Sequence, residues 1–315
     1  MVTNTVSFTA KTVSLAGALL VSLPAAHAGF SLSDADQFAV LSQFSNNQLN
    51  FNNGTITGNV GLGSPRQFTA SNGSVIGDIR FSGAANTTGL SPDPDPGSNP
   101  GPFTVSGGGT VTGGVFANDP FVSSALNWVN SLSQTLGGEA GNALTLTSSQ
   151  TIVAGNGLLD AGGNRVFSTT SVNLSTATTL TISGSASDYV VVNVTDNNPA
   201  FNGQIVLTGG ITSDQVLFNM FGGNYTTHTG GPTLTVSNNG QVTTGTFLDP
   251  NGAMSMNHSV LNGRFFGGDV VNQQIVSGAF ITAPESPVIP EPGTASLIAL
   301  ALSTFALRRK MSLIS

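Results

Sequence analysis

The chain has 315 residues, of which 8 are Lys or Arg and 15 are Asp or Glu; its formal net charge is −7 and only 7% of it is charged, where an ordinary globular domain carries roughly a quarter. So few cations cannot neutralise a phosphate backbone, so nucleic acid is not expected as a partner. The absence of cysteine excludes a disulfide framework, a thiolate metal site and a cysteine nucleophile, and a mean hydropathy of +0.17 argues against a disordered chain despite 40 glycines.

In chain order, residues 1–28 read first as a secretory signal peptide. Lys11 supplies the positive start, residues 12–23 are an apolar run, and Pro24 ends it. Ala26-His27-Ala28 then puts small residues at the −3 and −1 positions, so cleavage is expected between Ala28 and Gly29. As a helix that run would span about 18 Å, short of the roughly 30 Å hydrocarbon core.

Residues 29–285 form the expected ectodomain, and a short pattern recurs in it. Gly54-Thr55-Ile56-Thr57-Gly58-Asn59-Val60 returns 19 residues later as Gly73-Ser74-Val75-Ile76-Gly77-Asp78-Ile79. It returns again, 36 residues further on, as Gly109-Thr110-Val111-Thr112-Gly113-Gly114-Val115, and the two intervals read as one and two periods of about 18. Between the last two copies, residues 91–102 (SPDPDPGSNPGP) form a proline-rich loop that cannot join a sheet interior.

A helix is expected over about residues 119–136. Asp119 is placed to cap it and Pro120 occupies its first position. Phe121, Ala125, Val129, Leu132 and Leu136 follow at helical spacing, and Gly137-Gly138 ends it. Such a stripe, which holds the only tryptophan, Trp128, is expected to pack as structural cover. Later, Val242-Thr243-Thr244-Gly245-Thr246-Phe247 is followed 18 residues on by Val260-Leu261-Asn262-Gly263-Arg264-Phe265, and 15 after that by Ile275-Val276-Ser277-Gly278-Ala279-Phe280. A period near 18 with β-branched residues and glycine corners predicts a mainly β fold, a β-solenoid (β-helix) whose turns are rungs of short strands. A β-sandwich of many short strands is the other reading.

Residues 286–315 are read as a sorting signal. Pro290-Glu291-Pro292 precedes a short apolar run, residues 293–307, expected as a membrane helix of about 22 Å. Arg308, Arg309 and Lys310 then form a basic stop that stays cytoplasmic. Residues 29–289 keep 4 arginines against 14 acids, a net of −10.

Two resemblances follow from these residues. Pro290, Glu291, Pro292, the apolar run and Arg308-Arg309-Lys310 closely resemble the PEP-CTERM sorting signal of Gram-negative bacteria. The resemblance implies export through the inner membrane, a transient C-terminal anchor, processing by an exosortase-type enzyme as partner, and a place at the cell surface or in an exopolysaccharide matrix. Residues 32–283 resemble the bacterial ice-binding-like solenoid domain and the related choice-of-anchor A domain. The shared features are Asp36-Gln37-Phe38-Ala39-Val40-Leu41, residues 57–63, the helix, residues 189–194, Val216-Leu217-Phe218-Asn219 and residues 244–251. This resemblance implies a right-handed β-helix with one long helix alongside.

The candidate ligand face rests on Thr-x-Thr strands: Thr55/Thr57, Thr110/Thr112, Thr145/Thr147, Thr179/Thr181 and Thr233/Thr235. An inward apolar residue between each pair sends both threonines outward, about 6.8 Å apart along the strand and about 4.8 Å between rungs. A flat lattice of that kind orders water, although threonine is also simply a good outward strand residue.

Catalytic and metal chemistry find little support. His228 and His258 lack metal-ligand spacing, no nucleophile elbow occurs, and Asp196-Asn197-Asn198 fits no calcium loop. Asp93, Asp95 and Arg264 are the residues a polysaccharide-active enzyme would have to bring together. The sequence therefore favours a non-enzymatic secreted or cell-surface protein of the exopolysaccharide and biofilm matrix, without cofactor or metal. An ice-binding protein is the alternative, and a polysaccharide-active enzyme the lesser one.

Overall fold

A computed structural model describes residues 29–43, 48–64, 67–83, 103–268 and 273–284. The signal peptide, the sorting tail with residues 293–307, and the 91–102 loop holding Asp93 and Asp95 lie outside the described residues.

The described chain is mainly β, and its strands pair in parallel except for Leu158–Leu159, which runs antiparallel to Asn164–Leu174; an isolated antiparallel bridge also joins Asn224 and Thr229. Its strands are short because a glycine or a left-handed asparagine turns the chain every few residues; Asn53 and Asn72 stand at φ near 50°, which asparagine tolerates better than most residues. The chain visits three ladders in turn. From Phe38–Ser42 it passes to Gln48–Asn52, then to Thr55–Thr57, and returns to the first ladder at Asn59–Leu62, which pairs with Phe38–Ser42. Val60, Phe51 and Ile56, one from each ladder, are at most 1% exposed and belong to one continuous core. Phe201, Phe218 and Phe247 meet within it at ring-centroid distances of 5.0–5.1 Å.

The strand order across the first ladder reveals where the chain begins. Phe38–Ser42 pairs with Asn59–Leu62 on one side and with Val260–Gly267 on the other. The first rung therefore stacks on the last, and the chain starts in the middle. It winds outward to Val115–Phe116, and the helix Pro120–Gly137 carries it back past the rungs already made. It then winds inward from Asn142–Leu146 until its end meets its beginning.

The helix starts where its cap is: Asp119 accepts from the Phe121 amide at 2.9 Å, with proline at the first helical position. It buries Val122, Ala125, Leu126, Val129 and Leu136 against Leu41, Val191, Leu217, Leu248 and Phe266 on the outside of the first ladder. Of the expected stripe, Ala125, Val129 and Leu136 are buried and Leu132 packs against them, but Phe121 is 49% exposed, and Val122 and Leu126 take inward positions beside the stripe. Trp128 is exposed too, its indole nitrogen donating to the Ser31 carbonyl at 2.7 Å.

Two repeat alignments are also corrected. Ser74–Ile76 pairs directly with Thr110–Val111, so the 36-residue interval is one rung lengthened by the intervening segment, not two periods. Val242 to Phe247 aligns with Val260 to Phe265 as the repeat predicts. Ile275 instead pairs with Met256 and Phe51 on another ladder, and it is Phe280 that aligns with Val260.

Candidate ligand-binding face

The three ladders differ in what they show to solvent. The first is covered over much of its length by the helix and by residues 30–35. Polar side chains under the helix are satisfied in a chain: Asn219 donates to the Asn193 side chain (2.9 Å) and the Ser133 carbonyl (3.0 Å), and accepts from the Ser133 hydroxyl (2.6 Å). The Ser133 hydroxyl also meets the Tyr225 phenol at 3.0 Å. Partial burial raises the Tyr225 pKa, and the Asp249 charge pushes it the same way.

The second ladder is open. It runs through eight strands, from the end of Asn164–Leu174 through Ala200–Phe201, Leu234–Val236, Met254–Asn257, Gln273–Val276, Gln48–Asn52 and Gln67–Ser71 to Phe103–Ser106. Register places Asn173, Ala200, Thr235, Ser255, Gln274, Asn50, Thr69 and Thr104 in one row across it. Their strand neighbours Leu234, Met254, Ile275, Leu49 and Phe68 are buried, so the row faces solvent. Asn52, Ser71 and Ser106 begin a second row beside it. At about 4.8 Å per strand the face is about 34 Å long. No member of either row is charged, and at every position but Ala200 a hydroxyl or an amide repeats with the rungs. Thr69 donates to Gln48 at 2.9 Å, which fixes part of this pattern.

The third ladder is mixed. One row reads Val242, Val260, Phe280, Thr55, Ser74 and Thr110; the next includes Thr244, Asn262, Thr282, Thr57 and Ile76. Phe280 and Ile76 are about half exposed, so bulky apolar groups break the plane. In the other half of the molecule the third position is taken by a separate three-stranded sheet, Gln150–Val153, Thr179–Ser183 and Gln204–Thr208.

The ten candidate threonines are thus spread over several surfaces. Thr55, Thr57 and Thr110 stand together on the mixed ladder, with Thr112 just past its strand. Thr179 and Thr181 lie on the separate sheet, and Thr145 lies on Asn142–Leu146 with Thr147 just beyond. Only Thr235 belongs to the polar row, with Thr233 immediately before its strand. Sequence reasoning missed the polar face because its members, Ala200 apart, are Asn, Ser, Gln and Thr at single positions on strands far apart in sequence.

Of the three residues an enzyme would have to bring together, Asp93 and Asp95 lie outside the described residues and only Arg264 is placed. Arg264 is fully buried and ion-paired with Asp36, 228 residues away, so it ties the last rung to the start of the first and is closed to a sugar. Burial lowers its pKa against the raising effect of Asp36 and Asp214. His228 meets Asn251 at 3.3 Å, and Asp196 accepts from the Val172 and Asn198 amides, so its oxygens are committed to backbone. Among the described residues no three His, Asp or Glu side chains gather as metal ligands, and no helix is long and apolar enough to cross a membrane.

The three parallel ladders around one core define a mainly β domain with one open, uncharged face. The chain belongs to the ice-binding-like adhesive domain family, whose model matches residues 24–277. Similar solved structures include an ice-binding protein of an Arctic yeast, 18% identical, covering 84% of this chain and 97% of that one with a TM-score of 0.51. An ice-binding protein of an Antarctic Flavobacteriaceae bacterium is 17% identical with a TM-score of 0.52, and the match covers 83% of this chain and 48% of that one. An ice-binding protein domain of Shewanella frigidimarina is 13% identical with a TM-score of 0.51, covering 82% and 98%. At these identities the likeness is one of fold. No curated protein matches the sequence. These findings correct the first functional expectation: the matrix-protein reading gives way to its ice-binding alternative.

Proposed function

We propose that this domain binds ice through its polar face, without catalysing a reaction. The observation that carries the reading is the uncharged row from Asn173 to Thr104, polar at every position but Ala200. A charge would hold its own tight hydration shell, whereas neutral hydroxyls and amides at a fixed repeat hold water in a pattern set by the rungs. Rigid strands keep those groups in place, so little ordering entropy is lost on contact with a solid. The family match and the β-helical relatives support the same reading.

We read the three ladders as closing into a right-handed solenoid of triangular section. Support comes from the core they share and from the right-handedness of nearly all parallel β crossovers. Export with cleavage at Ala28/Gly29, and sorting by an exosortase-type enzyme acting on Pro290-Glu291-Pro292, complete the proposal; the residue pattern of the two ends supports them.

Partition of the full chain into a growing ice front, with inhibition of ice recrystallisation, tests the reading. We expect Ser255→Arg and Thr69→Arg to abolish most of the effect and Thr282→Arg, on the mixed ladder, to leave it. Loss in Thr282→Arg alone would move the site to the mixed ladder. An unmutated chain excluded from ice would end the ice-binding reading.

A further inference from the structure

The two ends of the coil differ in what they leave open. At the end where the chain resumes after the helix, the last rung consists of Asn142–Leu146 on the covered ladder, Gln150–Val153 on the three-stranded sheet, and Leu158–Leu159. Each of these strands is paired on one side only among the described residues. Natural sheets often guard such edges with charged side chains. Here residues 140–159 carry no charge. The next residue, Asp160, is turned back on its own chain and accepts from the Asn164 amide and side chain, both at 2.7 Å.

Two features stand side by side on this end. One is a protrusion: Leu158 and Leu159 are 43% and 58% exposed. The other is a cavity of about 380 Å³ between residues 142–144 and residues 151–153, lined also by Asn156 and Phe167. Asn156 is two residues from Leu158, so the protrusion rises from the rim of the cavity. A dry cavity of about 150 Å³ holds a benzene ring, so this one has room for a leucine side chain. Hydrogen bonds tie its two walls together: the Asn142 side chain donates to the Asn156 carbonyl, and the Gln150 side chain donates to the Thr145 carbonyl at 2.6 Å. The cavity is therefore formed before anything enters it, and filling it costs little ordering.

An apolar knob beside an apolar hole is complementary to a second copy of itself. A twofold axis between them puts the knob of each copy into the hole of the other, as an isologous interface requires. Because residues 140–159 are neutral, that apposition brings no like charges together along them. The opposite end of the coil offers no such fit. Phe116 there is covered by the Arg80 guanidinium, 5.1 Å from the ring centroid, and Arg80 is ion-paired with Asp78 and Asp119 at 2.8 and 3.0 Å. Joining through that end would strip water from three charged groups. Like ends therefore meet, and the pair closes on itself without growing into a filament.

We propose that two copies of this protein join end to end through the Asn142–Leu146 end, each seating Leu159 in the cavity of the other. No member of the polar rows lines the cavity, so the joint leaves both polar faces open, and it holds whether or not those faces bind ice.

Sedimentation velocity of the full chain over a range of concentrations tests the pairing. We expect a concentration-dependent dimer, weakened about tenfold or more by Leu159→Arg. Phe280→Arg, at an exposed apolar residue of the mixed ladder, should leave it unchanged. A chain that is monomeric at every soluble concentration, a dimer indifferent to Leu159→Arg, or growth into longer chains would overturn the proposal. A second arm does not depend on that variant. The native chain lacks cysteine, so copies carrying Val153→Cys and differently tagged copies carrying Leu159→Cys can be mixed and treated with a thiol oxidant. The disulfide between positions 153 and 159 of different copies should form severalfold faster than either like-with-like disulfide. Equal rates would overturn the seating of Leu159 in the cavity.

Discussion

At the scale of single residues, the fold depends on a few positions whose chemistry allows no substitute. Gly263 is one. An alanine there would put its Cβ on the Gly245 carbonyl, which cannot move without breaking the ladder. Gly263→Ala should cost about 2–4 kcal/mol in denaturant unfolding, the scale of core overpacking and backbone strain. Tyr225 carries a pH signature. Its pKa is raised in the folded state, so its contribution to stability is whole below the unfolded value near 10 and is lost as pH rises through the folded value. Thermal melts should therefore fall above about pH 10, and Tyr225→Phe should lose part of that fall. These positions were unequally legible. Glycine at 58, 77 and 113 announced itself by recurrence, because a turn excludes every other residue. Tyr225 gave no signal, since its meaning comes from Ser133, 92 residues away.

Among the elements, the helix is the clearest case of what sequence carries and what it withholds. Its cap and its first proline are local chemistry, and Asp119 and Pro120 are readable as such. Its inward face is not local. Phe121 and Val122 both suit the 3.6-residue period, and only the surface beneath decides that Val122 is buried. Two measurements separate these contributions. Asp119→Ala removes the cap and one partner of Arg80, bonded at 3.0 Å, and should cost about 1–2 kcal/mol. Asn219→Ala strips partners from both Ser133 and Asn193 beneath the helix and should cost about 2–4 kcal/mol, with loss of helix protection in hydrogen exchange. The polar face lies at the far end of this scale. A strand such as Gln48–Asn52 reads in sequence as an amphipathic strand, but its row mates lie more than a hundred residues away on one side, so no local window shows the row.

For the whole molecule, the join between first and last rungs is the decisive feature. Arg264 sits in it, fully buried, and its charge is balanced by a partly exposed Asp36. Breaking such a pair leaves a buried cation, whereas removing the charge from the buried side does not. Asp36→Asn should therefore cost about 2–3 kcal/mol, and Arg264→Met should cost less; chemical unfolding of both variants and of the double substitution measures the difference. The repeat in the sequence told of rungs and of their length. It was silent about their order, because a rung placed beside its sequence neighbour and one placed beside the far end of the chain use the same residues.

That join also governs the history of the molecule. While the chain is being made, Phe38–Ser42 has a partner on one side only, and the other side waits for Val260–Gly267. Each half then presents a naked parallel edge, the kind of surface that invites another chain. The last rungs to be synthesised are the ones that remove both edges at once. Completion of the described fold is thus a closing of its own middle, and the parallel edges that stay open afterwards are those at its two ends, on Val115–Phe116 and Asn142–Leu146.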